Sequence, residues 1–136
     1  MPTLVLDASV TISALIEEER SGEARTIFRD VVNDGAVVPS LWPVEVGHIL
    51  LLAVRRRLLS ATARQDHLND LSRLPITIDA ETAHHAWRDT IELAERHGLT
   101  LYDATYLELS LRLGLKLATF DVALRRAAAA AGVGLL

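Results

Sequence analysis

A chain of 136 residues, half of them hydrophobic and only 4% aromatic, has room for one domain around an aliphatic core and too much apolar content to stay disordered. It has no cysteine, which excludes disulfides, thiolate catalysis and cysteine-ligated zinc and suits a reducing cytoplasm. A net charge of −4 argues at first sight against nucleic acid, because phosphate binding normally needs basic surface.

The apolar run Thr3-Leu4-Val5-Leu6 ends at Asp7, the last residue of a first strand, and Ala8-Ser9-Val10 begins a helix through Leu15. Glu17-Glu18-Glu19 reads as a solvated helix end. Ser21-Gly22-Glu23-Ala24 offers an N-cap for a second helix through about Val32, which Asn33-Asp34-Gly35 ends. Ala36-Val37-Val38-Pro39 is a short strand, and the segment from Leu41 to Val54 is helical, with Pro43 tolerated in its first turn and Glu45 near its N-terminus. Ser60 caps an amphipathic helix reaching Leu74, and Pro75-Ile76-Thr77-Ile78 is a third strand.

Asp79 is expected to cap a helix that carries Glu81 in its first turn and closes at Arg96-His97-Gly98. After a connector at Leu99-Thr100-Leu101, a helix from Tyr102 to Leu113 ends at Gly114. Lys116 to Phe120 is a buried strand, Asp121 opens an alanine-rich helix through Ala131, and Val133-Gly134-Leu135-Leu136 is a closing strand. The alternation predicts one α/β domain over residues 1–136 with a parallel sheet. No basic segment with an apolar core opens the chain and no apolar stretch approaches the roughly 18 residues of a membrane span, so a soluble cytoplasmic protein is expected, without a membrane partner.

Asp7, Glu45, Asp103 and Asp121 each sit where an apolar strand or loop turns into a helix. In an open parallel sheet, ligands bind beyond the carboxyl ends of the strands, and Asp7 and Asp121 share that edge. Each acid also has a plain structural role open to it: Asp7 and Asp121 as helix caps, Glu45 and Asp103 as partners of helix dipoles. Glu45, however, lies in a segment of Leu41, Trp42, Val44, Val46, Ile49 and Leu50 that otherwise demands burial, where an unpaired carboxylate is costly. Hard cations such as Mg²⁺ and Mn²⁺ prefer oxygen ligands and need few carboxylates. Four gathered acids therefore point to metal-dependent phosphodiester cleavage, with one or two ions and water as the nucleophile. Setting the four aside leaves the remaining charge neutral, and bound ions would reverse the field that a phosphate meets.

The segments Val5-Leu6-Asp7-Ala8-Ser9, Val44-Glu45-Val46, Leu101-Tyr102-Asp103-Ala104-Thr105-Tyr106-Leu107-Glu108-Leu109 and Leu117-Ala118-Thr119-Phe120-Asp121 fall in the order and spacing of a known family. From Leu4 to its C-terminus the chain resembles the PIN-domain ribonucleases, specifically the VapC-type toxins of bacterial toxin-antitoxin pairs. The resemblance implies a doubly wound sheet of about five parallel strands flanked by helices. It makes Asp7 and Asp103 the direct metal ligands, with Asp121 and Glu45 acting directly, through water or at a second ion. It places Thr119 as a hydroxyl that bonds a carboxylate or the attacking water, and gives Ser9 a similar orienting role, although capping of the first helix explains Ser9 equally well. It further implies an RNA substrate, a VapB-type antitoxin and a homodimer.

One position departs from the family: His48 stands where asparagine is common, one turn beyond Glu45. It is open to orienting Glu45 or touching RNA, and the simpler expectation is a pocket histidine with a local hydrogen bond. Arg55-Arg56-Arg57 is the tight basic cluster, suited to an RNA backbone or, without a ligand, to a helix C-terminus. His84-His85 with Trp87 lacks the four-residue histidine spacing of a helical zinc site, and no metal is assigned to it. A haloacid-dehalogenase-like phosphatase requires an aspartate at position 9, where this chain has serine. A receiver-like Mg²⁺ module explains neither Glu45 nor Asp121. A non-catalytic PIN-like scaffold binding RNA or protein is the remaining alternative.

Overall fold

The computed structural model describes residues 1–16 and 20–136; Glu17-Glu18-Glu19, read above as a helix end, lies outside the described residues. Strands β1 (Leu4–Leu6), β2 (Ala36–Val38), β3 (Ile76–Ile78) and β4 (Lys116–Ala118) form one parallel sheet in the order β3-β2-β1-β4. Helices α1 (Ala8–Leu15), α2 (Ser21–Asp34), α3 (Trp42–Arg55), α4 (Ala61–Ser72), α5 (Thr82–His85), α6 (Asp89–His97), α7 (Leu101–Leu113) and α8 (Val122–Ala130) make the connections. The α/β class with a parallel sheet is as expected.

β1 and β2 are buried at every residue, as strands covered on both faces must be, and β3 at the edge is largely exposed. The core gathers their side chains with Leu107, Leu109, Leu117 and Leu124. α7 is buried continuously from Ala104 to Ser110 and packs on β1 and β4. Trp42 at the start of α3 donates its Nε1–H to Thr11 Oγ1 at 3.3 Å, and Thr11 donates to the Asp7 carbonyl at 3.4 Å. These two bonds tie the first turn of α3 to the end of β1.

Three expectations need correction. The closing strand over Val133 to Leu136 is reduced to a single bridge between Leu117 and Leu135, with Leu117 N–H donating to Gly134 and Leu136 N–H to Leu117. Only Val133 of this segment is buried, and Gly134 brings no side chain to pack, so little holds it in register. Among the described residues the sheet has four strands, close to the five or so expected. The long helix from Asp79 to Gly98 is broken into α5 and α6, with Arg88 outside helical geometry at φ −118, ψ −107. Asp79 does not cap it; its carboxylate accepts from Thr82 Oγ1 and from Arg112, and Glu81 occupies the cap position. Finally, Ser21 is the first residue of α2, not its cap.

Other local signals act as read. Ser60 Oγ accepts from Ala63 N–H, Pro43 sits in the first turn of α3, and Gly98 and Gly114 close α6 and α7 in the left-handed region at φ 65 and 66, which glycine enters without strain. No helix among the described residues is long and apolar enough to cross a membrane.

Candidate active site

β1 and β4 pair in parallel with Leu6 opposite Ala118, and Asp7 N–H donates to the Ala118 carbonyl at 3.0 Å. The residues that follow the two strands therefore leave the sheet side by side. Asp7 and Asp121 occupy the N-cap positions of α1 and α8, but neither makes a side-chain cap hydrogen bond. Capping does not account for them.

Two hydroxyls clasp the Asp7 carboxylate instead. Ser9 Oγ and Thr119 Oγ1 each donate to Oδ2 at 2.7 Å. Each then accepts from the neighbouring loop, Ser9 Oγ from Phe120 N–H at 3.0 Å and Thr119 Oγ1 from Asp121 N–H at 3.1 Å. Ser9 thus stands inside α1 as a cross-link between two loops rather than as a cap. Burial of Asp7 pushes its carboxyl above the usual range; the two hydroxyls oppose that rise and the nearby charge of Asp121 adds to it.

Glu45 lies in the first turn of α3, where burial raises its carboxyl while Asp7 and Asp103 repel its charge. Its Oε1 accepts a 2.6 Å hydrogen bond from Tyr106 OH, which lowers it again. Asp103 lies in the first turn of α7, where Thr100 Oγ1 accepts its N–H at 3.1 Å. Its carboxyl is pushed up to about 6 by burial and then by the charges of Asp121 and Asp7. Asp103 thus feels Asp121 and Asp7, and Glu45 feels Asp7 and Asp103, so the four acids face a common space. Asp121 Oδ2 is buried with no hydrogen-bond partner, an arrangement that folded proteins rarely leave unexplained. The donor set is oxygen-only, anionic and partly water-excluded, and it fits a hard divalent cation.

Tyr106 is a site residue that the sequence reading missed. The signal was its position three residues after Asp103, on the same helical face. His48 is exposed, not the pocket histidine expected. The basic cluster is not brought to the acids: Arg55 ends α3 and Arg56 caps it, about 15 Å along the helix from Glu45 at roughly 1.5 Å per residue.

A second charged cluster joins α5, α6 and α7. Arg112 pairs with Asp79 at 2.7 Å and with the buried Glu108 at 2.7 Å, and His85 Nδ1 lies 3.6 Å from Glu108 and 3.8 Å from Asp89. His85, Asp89 and Glu108 have ligand atoms within 4.8 Å of one another, but both Glu108 oxygens already accept from Arg112. The group reads as an ion network that holds α7 against the loop after β3.

A family model described as "PIN domain" matches residues 4–130. Ribonuclease VapC3 of Pyrobaculum aerophilum is 30% identical over 118 residues, covering 87% of this chain and 88% of that protein. Ribonuclease VapC1 of Mycobacterium tuberculosis is 31% identical over 135 residues, covering 98% and 94%. Among solved structures, VapBC2 from Rickettsia felis, bound to a DNA fragment from their promoter, matches with a TM-score of 0.66 at 12% identity, covering 98% of this chain and 96% of that one.

Proposed function

This chain belongs to the PIN-domain family, among relatives named VapC ribonucleases, and we propose that it is a Mg²⁺- or Mn²⁺-dependent endoribonuclease that hydrolyses RNA phosphodiester bonds as a toxin restrained by a VapB-type antitoxin. The observation that carries this reading is the unpartnered, buried Asp121 Oδ2, set in a cluster with Asp7, Asp103 and Glu45.

Asp7 and Asp103 would hold the cation directly, with Asp121 and Glu45 completing the set. When bound, the cation supplies charge to neutralise the scissile phosphate and acidity to generate the attacking hydroxide. The protein's own part is orientation. Ser9 and Thr119 hold Asp7 by one oxygen and lock the two strand ends together, so the carboxylates meet their ligand without rearrangement. Tyr106 keeps Glu45 turned towards the cluster and, with its OH pushed to deprotonate only far above the usual tyrosine range by burial and by Glu45, it remains a donor at any working pH. Asp103, with its pKa of about 6, becomes fully charged near neutrality, where cation binding competes best with protons. The likeness to the VapBC2 assembly supports a VapB-type antitoxin as partner, and the family resemblance supports a homodimer acting in the cytoplasm.

Purified protein incubated with single-stranded RNA should cleave it in Mn²⁺ or Mg²⁺ and stop in EDTA. Asp121→Asn, which keeps the side-chain volume, should be folded and inactive. Cleavage that persists in EDTA, or in the folded variant, would sink the proposed centre.

A further inference from the structure

A cleft of about 550 Å³ borders the acids at Asp121. Ser9 and Asp121 line it with polar groups, Ile12 and Ile49 with apolar surface, and Arg20 and Phe120 complete its wall. Arg20 is the one basic side chain lining it among the described residues. Its guanidinium carbon lies 4.0 Å from the centroid of the Phe120 ring, and one of its terminal nitrogens donates to Glu23 at 2.8 Å. Its side chain is 41% exposed.

A polyanionic strand that reaches this edge meets carboxylates. A cation held there would supply charge at the scissile phosphate, so the phosphates beside it need positive charge from the chain itself. Arg55, Arg56 and Arg57 stand at the far end of α3, about 15 Å or more along the helix from Glu45 at roughly 1.5 Å per residue. Arg125 points its guanidinium at the carbonyls of Thr119 and Leu136. Arg20 meets the requirement: it borders the same cleft as Asp121, it carries five N–H donors, and an exposed ion pair with Glu23 is cheap to exchange for a phosphate. Stacking on Phe120 fixes the guanidinium plane and reduces the entropy lost on contact. Phe120 is in turn held through its N–H by Ser9, the same hydroxyl that orients Asp7.

Resting on the ribonuclease reading above, we propose that this cleft is a nucleotide subsite for the RNA strand beside the scissile bond, with Arg20 on its phosphate and Ile12 and Ile49 against its sugar and base. The Phe120 ring acts as the platform that aims Arg20, and the Ser9 hydroxyl ties that platform to the acid cluster.

The test measures binding of a fluorescein-labelled, mixed-sequence single-stranded RNA across a salt series. It uses Asp103→Asn, so that cleavage does not intervene, alone and combined with Arg20→Gln, Arg20→Lys, Phe120→Leu or Arg126→Gln. Losing one phosphate contact on a single strand should flatten the slope of log K against log[salt] by about 0.7. Arg20→Gln should show that change, Arg20→Lys should keep the slope while binding more weakly, and Phe120→Leu should weaken binding at unaltered net charge. Arg126 is exposed on α8, and its replacement should do none of this. In the otherwise unaltered enzyme, Arg20→Gln should raise KM more than it lowers kcat. An unaltered slope and KM in folded Arg20→Gln would overturn the subsite while leaving the nuclease intact. A normal slope with lost capture of the antitoxin would assign the cleft to that partner and overturn it too. If the wild type cleaves no RNA but the Arg20 slope change persists, the nuclease reading fails and the RNA contact stands.

Discussion

Asp103→Asn should stabilise the metal-free protein at neutral pH, and the size of the gain follows from the cluster. In the fold the Asp103 carboxyl rises from 3.8 to about 6 through burial and the charges of Asp121 and Asp7. The folded state therefore holds its proton more tightly than the unfolded chain. Relative stability from this group is fully present below pH 3.8 and is lost as pH rises through about 6. At about 1.4 kcal/mol per pH unit the loss would be about 3 kcal/mol, and because Asp103 is only half buried, solvent screening reduces it to about 1–2 kcal/mol. Asparagine carries no charge and escapes the penalty, so in EDTA at pH 7.5 the variant should melt about 3–8 °C above the wild type and match it near pH 4. Asp7 and Glu45, both also raised, should leave a residual slope of the same sign in the variant. Saturating Mn²⁺ should reverse the order by stabilising the wild type through preferential binding to its native state. The assay is thermal unfolding by circular dichroism from pH 4 to 8, with EDTA or Mn²⁺. An Asp103→Asn protein that melts below the wild type in EDTA at neutral pH would refute the argument and leave Asp103 as a partner within the fold.

Thr119→Val removes a donor to Asp7 and the acceptor of Asp121 N–H from a fully buried position; unfolding in urea should show a loss of about 1–3 kcal/mol, and Mn²⁺ affinity by calorimetry should weaken with it. Arg112→Met leaves Glu108 buried without its guanidinium partner, so the denaturant midpoint should fall by the equivalent of about 3–5 kcal/mol while Mn²⁺ affinity at the acid cluster is retained below the transition. Replacing Arg55 and Arg56 together by glutamine should leave the salt dependence of RNA binding unaltered, because they end α3 about 15 Å along the helix from Glu45 at roughly 1.5 Å per residue; a flattened slope would show that the strand runs along α3.

The order of elements was legible from local chemistry. Gly98 and Gly114 end helices because left-handed closure is a property of the residue itself, and Ser60 caps α4 through a bond to a residue three positions away. The same local reading placed Asp7, Glu45, Asp103 and Asp121 at junctions between elements, where a parallel sheet delivers side chains to one edge. What depended on tertiary packing was the set of partners. Asp7 meets Thr119 across 112 residues, and Tyr106 meets Glu45 across 61, because β1 lies beside β4 and α7 covers the sheet; no spacing along the chain encodes those encounters. The break between α5 and α6, the diversion of Asp79 from a cap to Arg112, and the shrinking of the last strand to a bridge have the same origin. Each is a local preference outweighed by burial and pairing with residues distant in sequence, whose energies exist only after the core has formed.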